Sequence, residues 1–253
     1  MKIILKIFSR NFLIRISYYL VPILKIVYSG NKFIDPIDGR GYSKFLSYGY
    51  AKLRKNALSP GTLSLERHRL LWLYLNNSTN LLSSKLKVLH IAPEQIFYRK
   101  FKKNIYWDYT TFDLKSPLAD VTGDITNMSF KNDTFDLIIC NHVLEHITDD
   151  GTAMSEIYRV LKKGGLGILQ VPIDKDLEKT YEDKTLVSKK QRAKHFGQYD
   201  HVRVYGVDYK DKLENTGFIV NLLDYTNQIE DNLISKYGLI KGELIPIVKK
   251  SIG

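Results

Sequence analysis

Short apolar runs alternate with helical segments from residue 87 to residue 248, and this alternation constrains the fold more than any other feature of the sequence. Strand–helix–strand units build a parallel sheet with right-handed crossovers. The sequence therefore predicts an α/β fold with helices on both faces of a mostly parallel sheet, which binds ligands beyond the carboxyl ends of its strands. The predicted strands are Lys87–Ala92, Tyr109–Asp113, Phe135–Cys140, Leu166–Val171, Phe218–Leu223 and Glu243–Val248, and the predicted helices include Glu94–Lys102, Asp150–Lys163 and Val207–Thr216.

The positive charge of the chain is concentrated near its N-terminus. The 253 residues carry 38 Lys and Arg against 27 Asp and Glu, a net charge of +11. Residues 1–56 contain eleven Lys and Arg and only two Asp, so +9 of this excess precedes the predicted sheet. The remaining residues are nearly neutral, and they give no electrostatic reason to expect a nucleic-acid partner.

The first residues also have the pattern of an amphipathic helix. We predict a basic amphipathic helix over residues 1–29, which either packs on the main domain or contacts an anionic membrane surface through residues 1–28. A secretory signal is disfavoured because Lys25 interrupts the apolar run and no cleavage motif follows. The longest uncharged run in this segment, Ile16–Leu24, has nine residues, fewer than the roughly 20 that span a bilayer. The apolar residues at helical spacing are Ile4, Leu5, Phe8, Phe12, Ile16 and Tyr19.

Composition divides the chain into three predicted segments. After residues 1–29, residues 30–63 are rich in Gly, Tyr, Asp, Pro and Ser and predict an irregular, loop-rich segment. The main domain is predicted at residues 64–253, beginning with a helix capped by Ser64 and carrying an insertion at about 173–206. The single cysteine, Cys140, excludes a disulfide framework and is typical of a reducing compartment. We expect a cytoplasmic protein, peripheral to the inner membrane surface if the helix binds lipid.

Polar residues follow three of the predicted strands. Asp113 ends the second strand, where a carboxylate can accept hydrogen bonds from both hydroxyls of a ribose. Asp124 can accept one from an adenine amino group while Ile125 packs on the ring, and Asn141 faces the same crevice from the end of the next strand. A hydrogen bond to a charged group contributes roughly 1.5–3 kcal/mol, so the two carboxylates matter for affinity. The sequence therefore predicts a nucleoside-binding crevice.

The order of these motifs resembles a known enzyme family. Asp113, Gly123–Ile125, Phe135–His146 and Tyr158–Gly165 together look like the class I S-adenosylmethionine-dependent methyltransferases, and most closely the type 11 methyltransferase domain. The resemblance implies a Rossmann-like sheet of seven strands with an antiparallel last strand, S-adenosylmethionine as cofactor, and methyl transfer as the activity. The cofactor-binding residues that it implies are His90, Ala92, Pro93, Glu94, Asp113, Leu114, Asp124, Ile125, Asn141 and His142.

The first loop departs from the family, which usually has an acidic residue and a glycine-rich turn there. Residues 89–94 read Leu-His-Ile-Ala-Pro-Glu, which is similar to one subgroup. The missing G-x-G-x-x-G argues against NAD, because a pyrophosphate requires very close approach of the backbone. S-adenosylmethionine has no phosphate, and its ammonium group can be bound by backbone carbonyls or by Glu94. The alternative is a degenerate fold that binds no cofactor.

Residues 142–146 match H-x-x-E-H, a pattern of zinc peptidases. The motif directly follows a buried strand, and Asp149 and Asp150 close it after one turn. The methyltransferase resemblance accounts for these residues without a metal. We therefore predict no metal site, and we expect His146 to pack at the end of the turn.

The predicted insertion is dense in groups that can bind an acceptor or take its proton. His201 with Asp200 is the first candidate for a general base and its partner, and His195 is the second. Tyr181, Arg203 and Tyr205 are the candidate acceptor-binding residues. The alternative is a polar lid that only covers the cofactor.

The resulting function hypothesis is methyl transfer from S-adenosylmethionine to a small polar acceptor, such as a hydroxyl of a sugar or glycan precursor. Two alternatives stay open: a non-catalytic, membrane-associated binding module on the same fold, and an RNA methyltransferase. Residues 141–144 read Asn-His-Val-Leu, where enzymes that methylate base amino groups often have Asn/Asp-Pro-Pro-aromatic. This difference weakens the nucleic-acid alternative.

Overall fold

The computed structural model describes residues 10–49 and 53–252, which form two compact units. The first unit contains the described residues up to Leu82 together with Asp224–Glu243, and the second contains Ser83–Leu223 and the described residues from Leu244 onward. The boundaries differ from the predicted segments, because the helix after residue 64 and Asp224–Glu243 belong to the first unit.

The second unit is built on a sheet of seven strands in the order β12-β13-β9-β8-β5-β6-β7. The last strand, β13, lies antiparallel between β12 and β9, and the other described pairs in the sheet are parallel. The predicted fold class, with its antiparallel last strand, is confirmed. The strands are β5 (Leu86–Ile91), β6 (Trp107–Asp113), β7 (Val121–Thr122), β8 (Phe135–Cys140), β9 (Leu161–Ile168), β12 (Phe218–Leu223) and β13 (Ile245–Lys250).

The centre of this sheet is buried on both faces. Consecutive residues of β5 and β8, such as Leu89, Leu137 and Ile138, are fully buried, as expected where helices cover both sides of parallel strands. The helices of this unit are α3 (Gln95–Phe101), α4 (Asp150–Val160), α5 (Lys189–His195) and α6 (Tyr209–Asn215), and residues 144–146 form a 3₁₀ turn. The predicted insertion contains α5 and a small antiparallel pair, β10 (Tyr181–Glu182) with β11 (Arg203–Val204).

The predicted end of the fourth helix is wrong. The sequence predicted a helix to Lys163 stopped by Gly164 and Gly165, but α4 ends at Val160 and β9 begins at the next residue. Both glycines lie inside β9, where the pairing with β8 changes register. Gly164 has a φ of +75°, and a Cβ on Gly165 would lie 2.9 Å from the Lys162 carbonyl oxygen. The glycines therefore permit an irregular strand rather than end a helix.

The first unit begins with a helix and two hairpins. Helix α1 covers Arg10–Val27 of the predicted helix, whose first nine residues lie outside the described part. The prediction of an irregular segment at 30–63 is wrong: the short strands β1 (Ser29–Asp35), β2 (Arg40–Tyr42), β3 (Leu46–Tyr48) and β4 (Arg54–Leu58) pair as two antiparallel hairpins. These strands are short and most are flanked or interrupted by glycine, so the sequence shows no alternation of apolar and polar residues that would predict them.

The rest of the first unit consists of α2 (Glu66–Asn77), a 3₁₀ turn (Tyr225–Gln228) and α7 (Asp231–Lys236). Ser64 does not cap α2 as predicted. Its hydroxyl donates to the buried carboxylate of Asp35 at 3.1 Å, and the helix instead begins after Leu65, whose N–H donates to His68 Nδ1 at 3.1 Å.

The buried guanidinium of Arg69 joins the elements of the first unit. It donates to the carbonyl oxygens of Tyr237 and Gly238, each at 2.7 Å, and to those of Ala57 and Ser64 at 3.0 and 2.7 Å. Burial lowers the Arg69 pKa to about 10, although nearby carboxylates act in the opposite direction. These four carbonyls hold the segment after α7 against α2 and the end of β4.

The carboxyl group of Glu243 gives the first unit a stability that depends on pH. Its Oε2 is buried and has no hydrogen-bond partner among the described residues. Burial raises the Glu243 pKa to about 7 despite the nearby guanidinium of Arg67. Between its unfolded value near 4.5 and about 7, the folded protein holds more protons than the unfolded chain. The free energy of unfolding should therefore fall as pH rises through this window.

We expect Glu243→Gln to remove this dependence, because glutamine does not titrate. Relative to wild type, the variant should gain on the order of 2–3 kcal/mol in unfolding free energy between pH 5 and pH 8, measured by urea denaturation. The matched control is Glu230→Gln, at an exposed position of the same unit. An equal pH dependence in both variants would show that Glu243 does not carry the effect.

Candidate functional site

A cavity of about 380 Å³ opens at the carboxyl ends of β5 and β6 and beside the loop after β8. This is the sheet edge at which the sequence predicted ligand binding, and the volume lies in the range of small-molecule sites. The walls come from four segments of the second unit: Ile91–Ala92, Phe112–Leu114, Gly123–Thr126 and residues 143 and 146–149. The predicted binding residues that line it are Ala92, Asp113, Leu114, Asp124 and Ile125.

The carboxylate of Asp113 is fixed in orientation by its own loop. Its Oδ1 accepts the backbone N–H groups of Lys115 and Ser116, both at 2.7 Å, while Oδ2 accepts no hydrogen bond from the described residues. One oxygen therefore positions the side chain, and the other remains available to hydroxyl donors of a bound molecule.

Asp124 lies at the exposed rim of the cavity. Its Oδ1 accepts the N–H and the hydroxyl of Thr126 at 2.9 and 2.8 Å, and these two bonds lower the Asp124 pKa. A Cβ on the preceding Gly123 would lie 2.9 Å from the ring of Phe112. Only glycine lets this loop lie against the ring, and the close contact shapes one wall of the cavity.

The first loop keeps a left-handed turn although it lacks glycine. Ala92 has a φ of +50°, and its N–H donates to the Phe112 carbonyl oxygen at 2.8 Å. A left-handed conformation costs a residue with a Cβ roughly 1–2 kcal/mol. Ala92 therefore adopts, at a cost in stability, a backbone conformation that glycine adopts without strain.

Three predicted binding residues of this loop do not line the cavity. His90 is fully buried, and its two ring nitrogens lie 2.7 Å from the Tyr109 hydroxyl and 2.9 Å from Glu94 Oε2. His90 is therefore not a cofactor-contacting residue as predicted. Its imidazole instead holds the Glu94 side chain, and neither residue lines the cavity. Pro93 and Glu94 also lie outside the lining residues.

Asn141 ends β8 with an unsatisfied amide. The residue is 3% exposed, and both Oδ1 and Nδ2 are buried without a hydrogen-bond partner in the described ranges. An unpaired buried polar group costs about 1–3 kcal/mol, so the amide suits a polar group brought by a ligand. His142 follows with a φ of +54° and places Nδ1 3.3 Å from Glu145 Oε1. Neither residue lines the cavity.

A cluster of His and acidic side chains, Glu145, His146, Asp200 and His201, lies beside the cavity. The rings of His146 and His201 meet edge to face with centroids 4.7 Å apart, and His146 also lines the cavity. The predicted partner of His201, Asp200, places Oδ2 3.6 Å from His146 Nδ1, and its charge also acts on His201. The sequence analysis did not predict a role for Glu145 or the contact of His146 with His201. Residues 54 or more positions apart meet in this cluster, and sequence patterns do not show such contacts.

The environment sets the charges of this cluster. Burial acts to raise the Glu145 pKa, but the hydrogen bond with His142 and the positive charges of His142 and His146 outweigh it, so the pKa is lowered. Burial also lowers the pKa of His201, an effect that the Glu145 charge offsets only in part. At neutral pH a neutral imidazole therefore stands beside an ionised carboxylate.

Among the described residues, three side chains of types that can bind a metal ion come together: Glu145, His146 and His201. One ligand atom from each lies within 4.8 Å of the others. A tetrahedral zinc with bonds of about 2.0–2.1 Å requires ligand atoms roughly 3.4 Å apart. The three atoms lie close enough to be brought to one ion, and the prediction that no metal binds here stays a prediction. The H-x-x-E-H pattern does not form its helical pair either, because residues 144–146 are a 3₁₀ turn and His142 lies outside the group.

Two of the predicted acceptor-binding residues have structural roles instead. The Arg203 guanidinium is 3% exposed and donates to the carbonyl oxygens of Leu144, Ile147 and Thr148. Tyr205 is fully buried and donates its hydroxyl to Asp150 at 2.7 Å. Tyr205 is therefore closed to an acceptor. Arg203 spends its hydrogen bonds within the protein, but its side chain also lines a second, smaller cavity.

Two further predicted residues, the second candidate base His195 and the candidate acceptor-binding residue Tyr181, lie at the surface. The exposed His195 places Nδ1 3.0 Å from the Tyr181 hydroxyl, and neither residue lines either of the cavities described here. A second cavity of about 130 Å³ shares Thr148 with the first. Most of its lining is polar or charged: Thr148, Glu182, Asp183, Lys184, Leu186, Arg192, Val202 and Arg203.

We expect Ala92→Gly to raise the free energy of unfolding by about 0.5–1 kcal/mol, because it removes the left-handed strain of a Cβ. The control is the same substitution at Ala153, a buried residue of α4, which should cost about 1 kcal/mol or more. Urea denaturation of both variants measures the difference. Equal destabilisation at the two sites would contradict the strain at Ala92.

Comparison with known proteins agrees with this geometry. Residues 81–169 match the sequence model of a methyltransferase domain family. The chain is 49% identical over 43 residues to a demethylmenaquinone methyltransferase of Streptomyces avermitilis, a match that covers 17% of this chain and 19% of that protein. It is 31% identical over 108 residues to the ubiquinone/menaquinone biosynthesis C-methyltransferase UbiE of Ruegeria sp., covering 34% and 43%. These matches span less than half the length of either relative.

The solved structure of the cyclase SpnF has a TM-score of 0.52 and 14% identity, and the match covers 93% of this chain and 95% of SpnF. At that identity the likeness concerns the fold alone. The domain match agrees with the motif order and with the seven-stranded sheet, and it confirms the expected cofactor class. Residues 81–169 are therefore similar to the methyltransferase domain whose family model they match.

Proposed function

We propose that this protein is an enzyme that transfers the methyl group of S-adenosylmethionine to a polar acceptor. The observation that carries the proposal is a single cavity whose wall contains Asp113, Asp124 and His146. It therefore combines carboxylates suited to a nucleoside with an imidazole that contacts His201. A binding module would need the carboxylates but has no use for a half-buried, neutral base beside them.

The residues around the cavity fit the cofactor. The free oxygen of Asp113 suits ribose hydroxyls, and the Asp124 carboxylate suits the adenine amino group. The orphaned amide of Asn141 can both donate and accept. The bound cofactor supplies an activated sulfonium methyl group. What the protein adds is alignment of donor and acceptor, which can supply up to roughly 7–11 kcal/mol of the barrier.

A hydroxyl or amine acceptor must also lose a proton, and we assign its removal to His201. The imidazole is neutral because burial lowers its pKa. When it takes the proton, the ionised carboxylate of Glu145 stabilises the resulting imidazolium. His146 lines the cavity and contacts the His201 ring edge to face, so we assign it the role of positioning the base for proton removal.

The second cavity supports a polar acceptor. Charged side chains of Glu182, Asp183, Lys184 and Arg192 line it, and it adjoins the cofactor cavity at Thr148. This lining suits a hydroxyl-rich molecule such as a sugar or glycan precursor. A quinone is the second candidate, because two curated relatives are named for quinone methylation. Methyl transfer assays with sugar-nucleotide and demethylated quinone acceptors separate the two.

We expect Asp113→Asn to weaken binding of S-adenosylhomocysteine about tenfold or more, because it removes the charge from the hydrogen bonds to the ribose. Asparagine retains Oδ1 as an acceptor for the Lys115 and Ser116 N–H groups, so the loop should keep its shape. Isothermal titration calorimetry measures the affinity. The matched control is Asp108→Asn at the exposed, opposite end of β6, and equal effects in both variants would contradict the site.

We expect His201→Ala to reduce the rate of methyl transfer by about 10²–10⁴ while S-adenosylhomocysteine still binds. In wild type the rate should rise with pH through a pKa below 6.5 and be flat at neutral pH, because only the neutral imidazole is a base. The variant should lose this limb of the pH profile. His195→Ala, at an exposed histidine outside both cavities, is the control.

Unchanged turnover in His201→Ala, or an equal loss in His195→Ala, would rule out His201 as the base. Cofactor binding without methyl transfer to any cell-extract fraction would instead support the non-catalytic module. Transfer only into an RNA fraction would support the nucleic-acid alternative.

A further inference from the structure

Helix α1 exposes a continuous apolar face. Tyr19, Leu20, Ile23, Ile26 and Val27 are 79%, 49%, 57%, 78% and 65% exposed. Their spacing of one, four, seven and eight residues from Tyr19 places all five on one side of the helix. Contiguous exposed apolar surface of this kind marks an interaction site, whereas scattered apolar residues do not.

No charge interrupts this face. In the sequence from Ile16 to Val27 the single ionisable basic residue is Lys25, which lies on the opposite side of the helix. Its ammonium pairs with the Asp38 carboxylate at 3.1 Å. The helix therefore attaches to its own unit through one side and leaves the apolar side to another partner.

The sequence around α1 is basic and contains few acidic residues. Residues 1–56 contain two acids, Asp35 and Asp38. Asp35 is fully buried and accepts hydrogen bonds from Thr62 and Ser64, and Asp38 is paired with Lys25. The side chains of Lys32, Arg40 and Lys44 in the following hairpin region are exposed. The basic excess of this part of the chain therefore favours an anionic partner.

We propose that α1 lies in the surface of an anionic lipid membrane, with the face from Tyr19 to Val27 at the boundary between headgroups and acyl chains. An apolar face flanked by Lys and Arg is the composition of interfacial helices, and each basic group near an anionic surface adds to the attraction. The helix has 18 residues and contains Pro22. Within the described residues, no helix is long and apolar enough to cross a membrane.

A second copy of this chain fits the face less well than a membrane does. Pairing two copies through α1 would bring together two segments that each carry +9. Like charges at that density oppose association at physiological salt, whereas anionic lipid neutralises them. Charge complementarity therefore selects the lipid surface.

The test is co-sedimentation of the full chain with vesicles of phosphatidylcholine alone and of phosphatidylcholine with 30% phosphatidylglycerol. We expect binding to the anionic vesicles, at least tenfold weaker binding to the neutral ones, and weakening at high salt. Ile26→Glu should reduce binding at least tenfold. Ile105→Glu is a charge-matched control, because this isoleucine is 87% exposed and lies outside α1. It should bind as wild type does.

Three results would overturn the proposal. The first is no binding of the full chain to anionic vesicles, and the second is an equal effect of Ile26→Glu and Ile105→Glu. The third is a dimer in light scattering that Ile26→Glu dissociates, with no vesicle binding by wild type, since the face would then bind protein. Circular dichroism of both variants confirms that each retains the wild-type fold.

Discussion

The buried guanidinium of Arg203 is the interaction on which the arrangement of the site depends. It donates to three carbonyl oxygens between residues 144 and 148 and pairs with Asp150 and Glu182 at 3.4 and 3.1 Å. The segment that it holds contains Glu145 and His146 of the cluster and Thr148, which both cavities share. A buried charge is tolerated only when it is paired and hydrogen-bonded, and Arg203 satisfies both conditions.

This interaction links two parts of the second unit: the edge of the parallel sheet and the insertion. The cofactor side follows from the parallel sheet, because the ends of β5, β6 and β8 meet at one edge whatever the acceptor is. The proposed acceptor side comes from the insertion, whose β10–β11 pair brings Arg203 against the loop after β8. One guanidinium thereby places the proposed base beside a cavity that the sheet alone would form.

Much of the cofactor side could be predicted from sequence. Strand ends are marked by local changes from apolar to polar residues. The positions of Asp113 and Asp124 at one edge of the sheet could therefore be predicted. The left-handed turn at Ala92 was harder to predict, because alanine rarely adopts a positive φ and so gives no sequence signal for such a turn. His90 was misjudged for a related reason: a histidine at a strand end can face the crevice or the helix behind it, and periodicity does not separate the two.

The acceptor side could not be predicted in the same way, because its contacts are non-local. Asp200 precedes His201 in sequence but faces His146, and Arg203 was assigned to an acceptor although its carbonyl partners lie more than 50 residues away. The hairpins at 29–58 escaped detection because strands of three to seven residues leave too few positions for a period-two pattern. In each case the position of the residue or strand depends on burial and on contacts with residues distant in sequence.

The most direct measurement of the central claim is hydrogen–deuterium exchange of the full chain with and without S-adenosylhomocysteine. We predict slower exchange in the segments that line the large cavity, at residues 91–92, 112–114, 123–126 and 143–149. Exchange in the exposed helix α5 should be unchanged. An absence of protection under saturating ligand, or protection confined to other segments, would contradict a cofactor site at this edge of the sheet.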